Sequence, residues 1–346
     1  MNFTQTLTYW YSINKRDLPW RRTKNPYHIW LSEIIMQQTQ IVQGLPYYEA
    51  FVKQYPTVFD LAKANEEDIL KLWQGLGYYS RARNLHFTAK FVVTDLKGNF
   101  PKDYGSLLKL KGIGDYTASA IASICYDEQS AVVDGNVYRV LSRYFGINTP
   151  INSSKGIKYF KELAQTLLPK QDVGNYNQAI MDFGARQCKP KSPDCSICSL
   201  NTGCVALKNN QVSDLPVKIN KTKITKKHFN FIVFISEDNK TILEKRTKNG
   251  IWKNLYQFPL IETKKRISLD DFIINENFKI LIGEKIYGIT LFNEEEIVHK
   301  LSHQHLYTSF WIVNVDELSH DSIATSRIHD FPVPILINRF IEAFGL

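Results

Sequence analysis

The stretch LLKLKGIGDYTASAI, residues Leu107–Ile121, decides the fold of the first part of this chain. It predicts a helix, a Gly-x-Gly turn and a second helix, because Gly112 and Gly114 permit positive φ and a close approach to the backbone. The N–H groups of the turn and of the following helix start then form a site for an anion such as a phosphate. A plain turn between two helices is the alternative.

A cysteine cluster follows this stretch. Four of the five cysteines have the spacing C-x6-C-x2-C-x5-C, and they are Cys188, Cys195, Cys198 and Cys204. In a reducing compartment such a cluster predicts a metal site rather than disulfides. Zinc and a 4Fe–4S cluster both accept four thiolates. Only the central pair is closely spaced, whereas a zinc site usually has two such pairs, but both kinds of centre stay open on the spacing alone.

Length and composition predict a two-domain protein. The chain has 346 residues, and chains beyond roughly 250–300 residues usually divide. Hydrophobic residues make up 44% and charged residues 22%, which excludes global disorder. The start MNFTQTLTYW lacks a secretion signal, so we expect a soluble protein of the bacterial cytoplasm, associated with the nucleoid. The net charge of +9 favours a polyanionic partner.

The sequence pattern changes twice along the chain. Residues 1–208 predict a helical domain, with apolar residues at three and four spacing in Ile29–Val42, Ile69–Trp73, Ala118–Ile124 and Val137–Phe145. Residues 209–227 form a basic connector, which is either a solvated linker or a segment that lies along phosphates. Its lysines are Lys218, Lys221, Lys223, Lys226 and Lys227. Residues 228–346 predict an α+β domain with a mainly antiparallel sheet.

Two carboxylates have contrasting surroundings. Glu33 lies on a helix face beside Ile29, Trp30 and Met36, where desolvation would raise its pKa above about 4.3. Asp134 precedes a helix start, and an N-cap position favours its ionised form. Cleavage of a glycosidic bond needs such a pair, because one carboxyl donates a proton while the other stabilises the sugar cation. An exposed edge or buried ion pair for Glu33, and a structural cap for Asp134, are the alternatives.

Taken together, these residues resemble the adenine DNA glycosylase (MutY) family, an endonuclease III-like group with a helix–hairpin–helix motif, an iron–sulfur loop and a Nudix-like C-terminal domain. The matching runs outside the hairpin and the cysteines are LPWR (Leu18–Arg21), PYHIWLSEIIMQQTQ (Pro26–Gln40), GLGYYSRARN (Gly75–Asn84), VDGNVYRVLSR (Val132–Arg143) and NQAIMDFGARQC (Asn177–Cys188). Lys111 departs from the proline that is common before the first hairpin glycine.

The resemblance implies roles for the reacting groups. Glu33 would protonate the adenine ring, Asp134 would stabilise the sugar cation, and Asn136 would help to hold Asp134 and a water. Tyr116 stands where strand-cutting relatives carry a Schiff-base lysine, which implies a monofunctional glycosylase with weak or absent lyase activity. Simple core packing of Tyr116 is the alternative.

The resemblance also implies DNA contacts. The walls of the adenine pocket would be Trp20, Arg21, Leu31 and Gln178. Gln37 and Tyr78 would form a wedge that enters the duplex beside the damaged pair. Gln38 and Thr39 belong to the same helix end, for which a merely polar terminus is the alternative.

The C-terminal part resembles the Nudix-like domain that reads 8-oxoguanine on the opposite strand. No G-x5-E-x7-R-E-x-x-E-E run occurs in it, so it lacks the carboxylates that would hold catalytic Mg²⁺. Ser302 and His303 would contact the altered guanine, with a polar hairpin turn as the alternative. Leu301 stands where the family often has phenylalanine, which puts the stacking attributed to that ring in doubt.

The sequence therefore predicts an all-α glycosylase domain with one 4Fe–4S cluster, followed by an α+β Nudix-like domain. We expect a monomer that binds double-stranded DNA and removes adenine opposite 8-oxoguanine or guanine. The rival hypotheses are an endonuclease III-like pyrimidine-lesion glycosylase and lyase, a non-catalytic iron–sulfur protein that binds lesions, and a Nudix nucleotide hydrolase.

Overall fold

The computed structural model describes residues 1–219, 224–318 and 321–346. Two lysines of the predicted connector, Lys221 and Lys223, lie outside the described residues. The chain groups into two compact units: Met1–Lys63 with Asn84–Asn220, and Ala64–Arg83 with Lys221–Leu346. The domain bounds at residues 208 and 228 stay a prediction.

The described helices are α1 (Phe3–Asn14), α2 (Pro26–Met36), α3 (Ile41–Gln54), α4 (Val58–Lys63), α5 (Glu66–Leu72), α6 (Ser80–Thr94), α7 (Tyr104–Leu107), α8 (Asp115–Tyr126), α9 (Gly135–Phe145), α10 (Ser154–Thr166), α11 (Val173–Arg186), α12 (Val205–Lys208), α13 (Leu269–Ile273), α14 (Glu276–Ile282) and α15 (Ile335–Phe344). The first unit is helical, as the sequence predicts. None of the helices in the described ranges has the length and apolar character needed to cross a membrane.

Helix α2 carries Glu33 and has clear sequence signals at its start. The side chain of Asn25 accepts a hydrogen bond from the Tyr27 N–H, and Pro26 occupies the first turn. The helix ends at Met36, and Gln38 follows with φ 56°. The predicted segment Ile29–Val42 is therefore two helices, because the chain breaks at residues 37–40 before α3 begins.

Three helices form the centre of the first unit. Helix α8 packs against α2 and α11, while α11 also packs against α1 and α9. Residues Thr117–Ile124 of α8 are buried without interruption, so this helix lies in the interior. The expected helix start after Asp134 is confirmed, and α9 ends at Gly146 with φ 67°. This packing brings the ends of α2, α8, α9 and α11 to one site.

The second unit is built on a mixed sheet. Its described strands are β1 (Thr225–Ser236), β2 (Lys240–Thr241), β3 (Glu244–Lys245), β4 (Tyr256–Gln257), β5 (Leu260–Thr263), β6 (Tyr287–Leu291), β7 (Ile297–Lys300), β8 (Gln304–Val315) and β9 (Ile323–Ala324). The order is β5-β1-β8-β6, and β7 also pairs with β8. Most pairs are antiparallel as predicted, but the longest, β1 with β8, is parallel. Lys226 and Lys227, which the sequence places in the connector, belong to β1.

Each face of the long strands packs against helices. On one face Trp311 stacks on Phe272 with ring centroids 4.3 Å apart, within a cluster that includes Phe278. On the other face Phe310 stacks on Phe340 of α15 at 4.0 Å. Residues 64–83 join this unit through polar contacts: Lys245 Nζ lies 2.6 Å from the Glu67 carboxylate, and Gln74 donates to Asn338 at 2.7 Å.

Candidate active site

A cavity of about 180 Å³ in the helical unit contains both predicted catalytic carboxylates. Glu33 comes from α2 and Asp134 from the start of α9. The other predicted site residues that line the cavity are Trp20, Arg21, Thr39, Tyr116, Asn136 and Gln178. Apolar walls come from Leu18, Ile29 and Met181. Residues that are far apart in sequence therefore meet around a space that contains Glu33 and Asp134.

Glu33 has the environment of a proton donor at neutral pH. Burial raises its pKa to about 7, and the nearby charge of Asp134 acts in the same direction. A hydrogen bond from the Tyr116 hydroxyl and the charge of Arg21 act in the opposite direction. The prediction of a raised pKa for Glu33 is confirmed, and a large fraction of this carboxyl is protonated near pH 7.

Asp134 is the N-cap of α9, as predicted. Its Oδ1 accepts hydrogen bonds from the backbone N–H groups of Asn136 and Val137, each at 2.8 Å. Its Oδ2 accepts one from Asn136 Nδ2 at 2.7 Å. Burial nevertheless raises the pKa of Asp134 above its ordinary value, because desolvation outweighs these bonds. The cap hydrogen bonds lower the pKa of Asp134, as expected from its position, but the effect of burial is larger.

Arg139 continues the hydrogen-bond network from Asp134. Its Nη2 donates to the Asn136 side-chain oxygen at 2.8 Å, and its Nε donates to the Cys188 carbonyl at 2.7 Å. On the next turn of α9, Arg143 Nη1 lies 3.4 Å from Cys188 Sγ and donates to the Lys189 carbonyl at 2.7 Å. One helix therefore connects the acidic pair to the start of the cysteine loop.

The sequence reasoning missed several residues of the cavity, among them Arg16, Met181 and Asp182. Asp182 has no exposed surface, and Arg21 binds both of its oxygens at 2.7 and 2.8 Å. Arg16 also pairs with Asp182. An acidic residue in the apolar run NQAIMDFGARQC was a usable signal, because a buried carboxylate needs cationic partners.

Neighbouring side chains orient two predicted walls of the cavity. The Tyr11 hydroxyl donates to Gln178 Oε1 at 2.9 Å, and the Tyr11 ring lies 5.5 Å from the guanidinium of Arg21. Leu31 does not line the cavity: it is fully buried on the other side of α2 and packs in the core. Its predicted role as a wall was wrong, because the cavity faces the side of the helix that carries Ile29 and Glu33.

The predicted wedge residues have different surroundings. Gln37 donates to the Thr117 hydroxyl at 3.2 Å, and Gln38 is exposed beside it. Tyr78 belongs to the second unit, has φ 47° and is half exposed. The guanidinium of Arg81 lies 5.9 Å from the Tyr78 ring and 5.0 Å from Trp73. A role in DNA stays a prediction for all of them.

The hairpin has the predicted turn, with one difference. Gly112 has φ 82°, and a Cβ there would lie 2.8 Å from Cβ of Asn84. Gly114 has an extended backbone (φ −96°, ψ −179°) and caps α8, so it does not use the positive φ that a glycine permits. A Cβ at Gly114 would meet nothing within 4 Å. The first glycine is thus required by the fold, whereas the second leaves open space at a helix start.

All four clustered cysteines line one cavity of about 30 Å³, together with Arg143. Within the described ranges, no group of three or more His, Cys, Asp or Glu side chains is arranged to hold a single metal ion. A tetrahedral zinc site would need four sulfurs about 2.3 Å from one centre. The four thiols thus line a shared space, and the metal centre that they would hold stays a prediction.

The predicted lesion-reading residues form a tight turn in the second unit. Ser302 and His303 connect β7 to β8, and the Leu301 N–H donates to the Gln304 carbonyl at 2.8 Å. Both side chains are exposed. The His303 carbonyl accepts a hydrogen bond from the Thr225 N–H at 3.1 Å, which fixes the turn against β1.

Comparison with known proteins agrees with this arrangement. The HhH-GPD superfamily of base excision DNA repair proteins matches residues 31–170, and the NUDIX domain family matches residues 230–343. Among solved structures, a thermostable thymine-DNA glycosylase has a TM-score of 0.56 and 32% identity, covering 60% of this chain and 95% of that one. An endonuclease III trapped as a covalent intermediate with DNA has a TM-score of 0.53 at 21% identity, covering 60% and 94%, and shows the same fold.

Similar relatives extend over nearly the whole chain. The adenine DNA glycosylase of Buchnera aphidicola subsp. Baizongia pistaciae is 39% identical, covering 90% of this chain and 86% of that protein. The one from subsp. Schizaphis graminum is 35% identical, covering 99% and 98%. The adenine DNA glycosylase of Homo sapiens is 42% identical over 59% of this chain and 39% of its own. The chain is therefore a DNA glycosylase and belongs to the adenine DNA glycosylase family.

Proposed function

We propose that this enzyme removes adenine mispaired with 8-oxoguanine, and also with guanine, and that it leaves the DNA strand uncut. The observation that carries the proposal is the pairing of Glu33 with Asp134 in one cavity, where Glu33 has a pKa of about 7. Such a pair supplies a proton donor and a separate anion at the same pH. The substrate is an adenine that is extruded from double-stranded DNA into the cavity.

Each carboxyl has one task in the proposed reaction. Protonated Glu33 donates its hydrogen to a ring nitrogen of adenine, and the C–N glycosidic bond breaks as its electron pair moves to the base. Asp134 stabilises the positive charge on the sugar, and water then adds to the sugar carbon after giving its proton to Glu33. Asn136 and the two backbone N–H groups hold the Asp134 carboxylate in place.

Tyr116 supports a reaction without strand cleavage. A lyase needs an amine that forms a Schiff base with the sugar, and a phenol cannot form one. Tyr116 lines the cavity at the start of α8, and its hydroxyl lies 3.2 Å from the sulfur of Met181. Bifunctional action of the endonuclease III type would need a different nucleophile.

We also propose that the turn at Ser302 and His303 reads 8-oxoguanine, and that the enzyme acts as a monomer in the bacterial nucleoid. Two exposed polar side chains at the tip of a hairpin suit hydrogen bonding to an altered base edge. The sequence lacks the carboxylate run of a Nudix hydrolase, so this domain is proposed as a reader of the lesion.

We further propose that the four cysteines hold one 4Fe–4S cluster. Cys188, Cys195, Cys198 and Cys204 would be its ligands, and Arg143 would offset part of its negative charge. When bound, such a cluster cross-links its loop through four thiolate bonds. Purified protein should be yellow-brown and contain iron and sulfide. Colourless protein with one equivalent of zinc would contradict this assignment.

The decisive experiment for the substrate uses four duplexes, which carry adenine opposite 8-oxoguanine, adenine opposite guanine, thymine glycol, and thymine opposite guanine. Mild alkali reveals abasic sites after incubation, and borohydride reveals a Schiff base. We expect cleavage after alkali only for the two adenine duplexes, with no trapped protein. Excision of thymine glycol, or borohydride trapping during turnover, would support the endonuclease III-like alternative.

A further inference from the structure

One end of the sheet in the second unit carries a row of two lysines and a histidine beside the turn of Ser302 and His303. Strand register pairs Lys226 of β1 with His305 of β8, and His305 with Lys300 of β7. Residues in register on adjacent strands point to the same face of a sheet. Lys226, His305 and Lys300 therefore form one transverse row, about 10 Å across at a strand spacing of about 4.8 Å.

This row lies near the turn, at one end of a sheet face whose other end is covered by helices. Side chains alternate along a strand, so His305 and Tyr307 share a face with Trp311. Helices α13 and α14 cover that face around Trp311, where Phe272 and Phe278 pack. Towards the turn the cover ends, and Lys226 and Lys300 are exposed while His305 is half-buried.

His228 and Tyr307 are paired on the same sheet face, two residues further along their strands than Lys226 and His305. Lys226 Nζ lies 5.7 Å from the centre of the Tyr307 ring, and the ring of His228 stacks on Tyr307 at 5.1 Å. The nearby carboxylate of Glu296 is engaged by His228 Nδ1 at 2.7 Å. The Glu296 carboxylate is therefore engaged by His228 within the unit, whereas Lys226 and Lys300 are exposed.

We propose that the row of Lys226, His305 and Lys300 binds the DNA backbone phosphates of the strand whose base the turn reads. The inference rests on the proposed function of the turn. A base reader needs contacts that fix its register on the duplex, and lysines on phosphates supply them without base specificity. Lys300 lies two positions before Ser302 and His305 lies two positions after His303, so a base at Ser302 would have its own strand next to these side chains.

The test measures duplex affinity against salt concentration, with Glu33→Gln as the background so that adenine excision is strongly slowed during the measurement. The duplex carries 8-oxoguanine opposite adenine. The double substitution Lys226→Gln and Lys300→Gln should weaken binding and reduce the slope of log K against log salt by about 0.9 for each lysine on a phosphate. Lys279→Gln with Lys285→Gln, two exposed lysines of the same unit outside the row, is the matched control and should keep the slope.

Two further arms separate charge from folding. Arginine at positions 226 and 300 keeps the charge and should keep the slope. Methylphosphonate linkages beside the 8-oxoguanine should weaken the parent but not the glutamine variant. An unchanged slope in the glutamine variant, or an equal loss in the arginine variant, would overturn the site. Adenine excision by the unmodified enzyme tests the proposed function separately. If no adenine is excised but the salt slope still depends on the two lysines, the proposed function is refuted and the DNA contact is not.

Discussion

Glu33 shows how one side chain obtains its chemistry from its surroundings. A glutamate on a solvated helix is almost fully ionised at pH 7, whereas burial raises the pKa of Glu33 to about 7. The position on α2 also directs the carboxyl towards the cavity that contains Asp134. The balance of burial, Tyr116 and Arg21 thus decides whether this group can act as an acid.

The pH dependence of excision should report both carboxyls. The reaction needs protonated Glu33, so the single-turnover rate should fall as pH rises through about 7. It also needs ionised Asp134, whose pKa is raised by burial, so the rate should fall in acid at a higher pH than for an ordinary aspartate. Glu33→Gln should lose roughly 10²–10⁴-fold in rate. Exposed Glu49 on α3 is the control, and Glu49→Gln should keep the profile; a flat profile would contradict the assigned acid.

Tyr116 should tune the acid rather than supply a nucleophile. Its hydroxyl lowers the pKa of Glu33 through a hydrogen bond. Tyr116→Phe removes that bond, so the alkaline limb of the rate profile should move to higher pH. Tyr138→Phe, on the neighbouring helix α9 and outside the cavity, should leave the limb in place. A move to lower pH in Tyr116→Phe would show that the hydroxyl acts in another way.

Sequence patterns predicted the residue-scale features that are local. The apolar neighbours of Glu33 and the cap position of Asp134 lie within a few residues of each carboxyl. The pair of Arg21 with Asp182 could not be seen in this way, because 161 residues separate the partners. The net rise in the pKa of Asp134 was also missed, since its burial comes from the packing around α9 and not from its own segment.

At the scale of elements, the two hairpin glycines should behave differently. Gly112→Ala places a side chain at φ 82° and against Asn84, so it should destabilise the fold by about 1 kcal/mol or more. Gly114→Ala meets open space at an extended backbone, so thermal stability should be kept while affinity for duplex falls, because the methyl group stands where a phosphate would approach the helix start. Melting temperature and duplex affinity measured on both variants test this. Equal affinity of Gly114→Ala and the parent would rule out the hairpin as a phosphate site.

Element boundaries followed the sequence where capping signals are strong. Asn25 and Pro26 mark the start of α2, and Asp134 marks that of α9. The break at residues 37–40 was missed because the apolar spacing continues across it, although Gln38 adopts φ 56°. The parallel pairing of β1 with β8 was also missed, since partner choice depends on long-range contacts that strand patterns do not encode.

The molecule as a whole should bind duplex DNA electrostatically. With a net charge of +9, its affinity for undamaged duplex should fall steeply with salt, because bound lysine and arginine side chains release counterions from phosphates. Fluorescence anisotropy across a salt series gives the slope. A nearly flat response would mean that the excess charge does not meet the DNA backbone.

The two-part organisation was visible in the sequence, but its details were not. The change from helical to strand patterns near residue 228 predicted a second architecture. The association of residues 64–83 with the C-terminal residues could not be predicted, because α5 has an ordinary helical pattern. The segment is held by hydrogen bonds to distant groups, from Gln74 to Asn338 and from Tyr256 to Glu67. These contacts place the exposed Tyr78 in the same unit as the turn of Ser302 and His303.

The most direct test of this account is single-turnover release of free adenine by Asp134→Asn from a duplex with adenine opposite 8-oxoguanine. Asparagine caps a helix as well as aspartate does, so the variant should fold with a similar melting temperature. Loss of the anion should slow release by roughly 10²–10³-fold, the scale of one electrostatic contact to a transition state. Release as fast as that of the native enzyme would contradict the central claim that Asp134 stabilises the sugar cation.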